Sequence, residues 1–205
     1  MLSLQTVLPN TLELLKRLMA VPLLSPLRLV GGTSLALQYG HRRSVDLDFF
    51  GNLHDISIPT LHKCLEDVGV INSAKESEHI RIYEIDGIKV DFVDYSRFPW
   101  IDDAVVEKGL RLASPRDIAA MKINAIEGRG SRKDFIDMYF LLHHYSLKEI
   151  LQLYQQKYPD HSIFRALMSL TYFTDAEGQM MPEMFVSVTW EEMKAYIKRE
   201  VEKIE

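Results

Sequence analysis

Apolar residues recur at helical spacing over residues 10–20, with Asn10 or Thr11 placed to cap the helix. The run at 27–30 reads as a short strand. Gly31 and Gly32 then turn the chain into a short helix through Leu37 or Gln38, which Thr33 or Ser34 would cap. Gly40 closes that helix, and 45–50 reads as a second strand. Strand alternation there sends Asp46 and Asp48 to one face and Val45, Leu47 and Phe49 to the other. Residues 59–68 read as a helix that starts at Pro59 and ends at Gly69. Between 70 and 95 the pattern changes to short β segments: a strand at 79–85, a turn at Asp86-Gly87 and a return strand at 88–93. In the return strand Ile88, Val90 and Phe92 share one face, and Lys89, Asp91 and Val93 the other.

Residues 97–112 carry no readable period; Phe98-Pro99-Trp100 reads as a connector and Asp102-Asp103 as turn residues. Ser114-Pro115-Arg116-Asp117 is a helix-start signature, with serine as cap and proline at the first helical position. Residues 127–130 break that helix, and Ser131 starts another. The remainder to 205 reads as three or so helices, clearest near 148–157 and 189–203. Tyr172-Phe173 and Trp190 are read there as core or docking residues. A composition shift near Leu112 divides a mixed α and β half, 1–112, from a helical half, 113–205.

With 205 residues, 47% hydrophobic and 26% charged, the chain has ordinary globular composition and length enough for a sizeable core. Its net charge of −5 argues against a protein that coats nucleic acid. Cys64, in an amphipathic helical pattern, is expected to be a buried structural thiol, and a lone cysteine fits a reducing compartment. No run approaches the length of a membrane span, and the N-terminus lacks the charged start and apolar core of a secretory leader. A cytoplasmic protein without membrane association is expected.

The chemistry concentrates in a few places. Asp46 and Asp48 on one strand face suit a divalent cation, and the glycine turn opening a helix suits a phosphate. Asp91 sits between two apolar neighbours and would supply a third carboxylate from another strand; Asp94, facing the opposite side, is its rival. His41-Arg42-Arg43 reads either as a solvated basic loop or as a clamp on triphosphate or RNA phosphate, with Arg43 the residue nearest the aspartates. Lys122 has Ile118, Ala119, Ala125 and Ile126 around it on its helix, so it must snorkel or meet an anion, for which a triphosphate is suited. Asp134 and Asp137 share a side of the following helix, with Lys133 one turn before Asp137 and Arg129 and Arg132 close in sequence. His143 and His144 point to different faces and read as a helix C-terminal feature.

The order strand, Gly31-Gly32-Thr33-Ser34, helix, Asp46-x-Asp48 resembles the minimal nucleotidyltransferases of the polymerase-beta-like superfamily. Within that superfamily, Gly31 to Phe50 is most similar to the AbiEii/AbiGii group of bacterial abortive-infection toxins. Asp117-x4-Lys122, then Arg129 and Lys133-Asp134-x-x-Asp137, resembles that group's two C-terminal motifs. One departure is that the family's Arg-x-Lys-Asp has Ser131 in the arginine's place, leaving Arg129 and Arg132 as alternatives. The resemblance covers about 27–142. It implies an α+β fold: a mixed sheet flanked by helices at 1–112, followed by a helical part at 113–205 that completes the active-site cleft. It also implies Mg²⁺ or Mn²⁺ held by Asp46, Asp48 and Asp91, with Lys122 contacting the nucleotide. Gly31, Gly32, Thr33, Ser34, Arg43, Asp117, Arg129, Lys133, Asp134 and Asp137 would line the nucleotide. The expected activity is transfer of a nucleotide from an NTP to RNA or tRNA, by the toxin of a toxin–antitoxin pair whose antitoxin is encoded nearby. The alternatives are nucleotidylation of a protein or small molecule, or an inactive nucleotide-binding module.

Overall fold

The computed structural model describes residues 1–204; residue 205, the last of the expected helical part, lies outside them. The chain forms two units, Met1–Pro99 with Asp103–Ala113, and Trp100–Asp102 with Ser114 onward.

Among the described residues the first unit holds one seven-stranded sheet: β1 (Arg28–Leu29), β2 (Leu47–Gly51), β3 (Ile71–Glu76), β4 (Ile80–Ile85), β5 (Ile88–Asp94), β6 (Val105–Glu107) and β7 (Leu110–Leu112). Their spatial order is β3-β4-β5-β2-β1-β7-β6. The sheet is mixed, with β2 parallel to β5 and β1 parallel to β7, and the other pairs antiparallel. The helices α1 (Pro9–Ala20), α2 (Gly31–Tyr39) and α3 (Ile58–Glu66) belong to the same unit. Leu14, Leu15 and Leu18 of α1 bury in one core with Leu29, Leu47, Phe49, Val90, Phe92 and Leu112. Phe49 stacks on Phe92 at 5.5 Å between ring centres, and Tyr83 meets Phe92 edge-on. The Asp86-Gly87 turn has positive φ at both residues (51° and 76°), the twist that a two-residue hairpin needs.

Five expectations are corrected. The first helix starts at Pro9 after Leu8, because a proline at N1 has no amide proton to leave unpaired; Asn10 bonds instead to Thr11 N–H. The second helix starts at Gly31 with Val30 as its cap residue, so Thr33 and Ser34 lie inside it, and both are buried. Strand β2 starts at Leu47, and Val45 is exposed instead of sharing the inward face. Residues 105–112 form a hairpin turning on Lys108 and Gly109, both at positive φ; three-residue strands are too short to show a period. Cys64 is half-buried, and its burial raises the thiol pKa.

The second unit is helical: α4 (Pro115–Gly128), α5 (Arg132–Leu142), α6 (Leu147–Lys157), α7 (Ile163–Leu170), α8 (Thr174–Glu177) and α9 (Trp190–Glu202). Ser114, Ser146 and Ser162 cap their helices, and Thr189 with Glu192 forms a full capping box. Phe135, Phe173 and Trp190 meet in an aromatic cluster, while Tyr172 is exposed. His143 ends α5 with its ring stacked on Tyr196. No helix among the described residues is long and apolar enough to cross a membrane.

Phe92→Ala would remove the ring at the centre of the Phe49–Tyr83 contact and lower stability by about 3–5 kcal/mol, measured by urea unfolding.

Candidate active site

Parallel pairing of β2 with β5 places Asp48 beside Asp91 in register, and both side chains leave the face opposite Phe49 and Phe92. Asp46 lies two residues before Asp48, just ahead of the strand. One oxygen of Asp91, Oδ1, is buried and has no hydrogen-bond partner; the other, Oδ2, accepts from the Lys89 ammonium at 2.6 Å. Burial works against the charge on Lys89. The bond to Asp91 and the pull of Asp91, Asp48 and Asp46 outweigh it and hold the ammonium pKa above its usual value. A lysine nitrogen thus stands against Asp91, within the field of Asp48 and Asp46.

The glycine turn is fitted to this face. Gly31 has φ +66°, and a Cβ on it would stand 2.6 Å from Asp48 Oδ2, so the bare backbone packs against the carboxylate. A Cβ on Gly32 would collide with the guanidinium of Arg42, which is buried and donates to the Arg43 carbonyl. His41 is buried too, so the basic segment is not a solvated loop; Arg43 is half-buried. The Thr33 hydroxyl bonds to Ser44 and to the Asp46 carbonyl, tying α2 to the segment that carries Asp46. Ser34 Oγ accepts from Gln38. Both hydroxyls are committed inside the unit.

Asp94 faces the other side of the sheet, as alternation requires. It accepts from Leu53 N–H and from the hydroxyl and N–H of Ser96, with His54 and His79 beside it. Burial would raise its pKa, but those bonds hold it below the usual carboxylate range.

The second cluster lies within the helical unit. Lys122 is buried, with its ammonium 2.9 Å from Asp134 and 2.6 Å from Asp137. Arg129 forks onto both oxygens of Asp134 at 2.8 and 3.0 Å, and Ser131 donates to the same carboxylate. Burial would raise the Asp134 pKa, but these three partners drive it far below the usual range. Arg129 thus joins the Lys122 network, whereas Arg132 bonds to the carbonyls of Ala176 and Glu177 and lies over Trp190. Lys133 is exposed on α5. Asp117 is fully buried: it takes the Lys157 ammonium at 2.8 Å, the Ser114 hydroxyl, and the N–H groups of Ile101 and Asp102.

Lys89, Arg42 and Lys157 are participants that pattern reading passes over. Alternation placed Lys89 beside Asp91, and Leu153 and Tyr154 one turn before Lys157 marked it as buried. Nothing local to Arg42 tells it from Arg43.

A mixed sheet with Asp48 and Asp91 in register beside a glycine turn is the arrangement expected of a nucleotidyltransferase. The nucleotidyl transferase AbiEii toxin model, of type IV toxin–antitoxin systems, matches residues 13–203, and the chain belongs to that family. It is 32% identical over 200 residues to aq_aa25 of Aquifex aeolicus (strain VF5), covering 92% of this chain and 93% of that one. Solved structures share the fold, MenT4 and JHP933 among them. The nucleotidyltransferase toxin MenT4 of Mycobacterium tuberculosis H37Rv has a TM-score of 0.61 at 13% identity, covering 92% of this chain and 79% of its own. JHP933 of Helicobacter pylori has a TM-score of 0.53 at 19% identity, covering 97% and 93%.

Gly31→Ala would strain the turn by about 1 kcal/mol and displace the Asp48 carboxylate; nucleotide transfer should fall about 100-fold while the variant stays folded by circular dichroism. Asp134→Asn should lose about 3 kcal/mol at pH 7, since it removes one partner of a buried ion pair. The stability that Asp134 contributes is present above its unfolded pKa and is lost as pH falls through the lower folded value. The gap between wild type and variant in urea unfolding should therefore narrow below about pH 4.

Proposed function

We propose that the chain transfers the nucleoside monophosphate of an NTP to a hydroxyl of RNA, with tRNA as the acceptor, as the toxin of a cytoplasmic toxin–antitoxin or abortive-infection pair. The observation that carries this reading is Asp48 in register beside Asp91, with Asp46 just ahead of the strand and a buried unpartnered oxygen on Asp91. Hard carboxylate oxygens from adjacent segments suit Mg²⁺ or Mn²⁺, and the unpartnered Asp91 oxygen is a donor that such a cation would use. Among the described residues no trio of acidic, histidine or cysteine side chains is arranged as a ready metal shell, and the Lys89 ammonium takes up one ligand atom. A bound cation would neutralise the α-phosphate and acidify the acceptor hydroxyl.

Asp46, Asp48 and Asp91 would hold the cation, and Asp91 also orients the acceptor hydroxyl and draws off its proton. The acceptor oxygen bonds to the α-phosphorus as the bond to the bridging oxygen breaks, and pyrophosphate leaves. The backbone of Gly31 and Gly32 lies against the phosphates, and Thr33 and Ser34 support that turn from within. Arg43, Lys133 and Arg129 supply positive charge to the triphosphate. Lys122 contacts the nucleotide with Asp134 and Asp137 fixing its position, and Asp117 anchors the helix that carries it. Most of the rate then comes from positioning and charge neutralisation. The family supports an NTP as donor and an antitoxin as the partner that restrains the activity.

Purified protein incubated with each α-labelled NTP, Mg²⁺ and total tRNA should move label into RNA, and Asp48→Ala should reduce transfer to background. Label on protein instead of RNA would overturn the acceptor. No transfer, together with no metal-dependent NTP binding, would overturn the mechanism.

A further inference from the structure

We infer that Lys89 is a tethered cation that holds the place of the metal among the carboxylates and sets how tightly the site binds a divalent ion. The inference rests on the reading that Asp46, Asp48 and Asp91 hold that ion. Lys89 and Asp91 are two residues apart on β5, so the strand itself fixes their side chains to one face. The ammonium sits 2.6 Å from Asp91 Oδ2, and the other Asp91 oxygen is left without a partner. An ammonium is a compact point charge on a flexible stem, able to swing out where a guanidinium fork would stay engaged. The Lys89 side chain is 50% exposed while that of Asp91 is 16% exposed, so the ammonium has a freer route to solvent than the carboxylate.

Two consequences follow from charge alone. Without metal, Lys89 offsets the repulsion of three acids held on one face. A metal on Asp91 Oδ1 would stand beside the Lys89 ammonium on Oδ2, and repulsion between the two cations drives the ammonium off, so each binding event displaces an internal competitor. Removing one positive charge beside a partly exposed cation site changes affinity on the order of tenfold. In the folded protein Lys89 thus trades metal affinity for a metal-free state that stays assembled.

The test is Mn²⁺ binding to the whole chain without NTP, followed by isothermal titration calorimetry and by the electron paramagnetic resonance signal of free Mn²⁺. Lys89→Met should bind Mn²⁺ about tenfold more tightly than wild type and melt at a lower temperature without metal, with a larger upward shift when Mn²⁺ is added. Lys89→Arg keeps the charge and should bind no more tightly than wild type. In the unmodified protein, amine-reactive labelling read by mass spectrometry should increase at Lys89 on adding Mg²⁺, with exposed Lys148 unchanged as the control. Equal or weaker binding by Lys89→Met, or labelling of Lys89 that metal does not alter, would overturn the inference while leaving the metal site standing. Absence of Mn²⁺ binding in wild type and both variants would overturn the metal reading itself, and the inference with it.

Discussion

Like charges crowded on one side of a strand pair set the terms for the first unit. Carboxylates about 5 Å apart at an effective dielectric of about 20 repel by about 3 kcal/mol per pair, and the register of β2 against β5 leaves Asp48 and Asp91 no freedom to separate. The same residues' neighbours supply the compensation. Leu47, Phe49, Val90 and Phe92 alternate with the acids and bury completely on the other face, each contributing about 1.5–3 kcal/mol. The sheet is thus held by its apolar face so that the acidic face can stay poised. Gly31 belongs to the same constraint, because only a residue without a side chain lets the backbone approach the Asp48 carboxylate.

The helical unit handles charge in a different way. Its acids and bases are buried and matched: Asp134 and Asp137 with Lys122, and Asp117 with Lys157. Such pairs add little net stability over apolar packing, but they are costly to break, so they specify which helix turn faces which. Lys122 and Asp134 join α4 to α5, and Asp117 and Lys157 join α4 to α6. Asp117 also takes the N–H groups of Ile101 and Asp102, which ties the segment entering the unit to the start of α4.

Much of this was legible in the chain itself. The alternation in 88–93 separates Asp91 from Asp94, and the fold keeps them on opposite faces with different partners. Serine, proline and acid at 114–117 located the start of α4, and Ser131 the start of α5. The β6–β7 hairpin was not legible, because three-residue strands carry no period; its Lys108-Gly109 turn was the available signal. The cap of α2 was misplaced because hydroxyl residues near a glycine turn suit either a cap or an interior hydrogen bond, and only the packing of Thr33 against Ser44 decides between them. Lys157 lies forty residues from Asp117, so no local pattern could pair them.

The most direct test of the central claim is to follow which phosphate leaves the NTP. With purified protein, an NTP and tRNA, the account predicts one pyrophosphate for each nucleotide transferred, lost on chelation with EDTA and lost in Asp91→Asn. Release of orthophosphate, or pyrophosphate release that Asp91→Asn leaves intact, would contradict it.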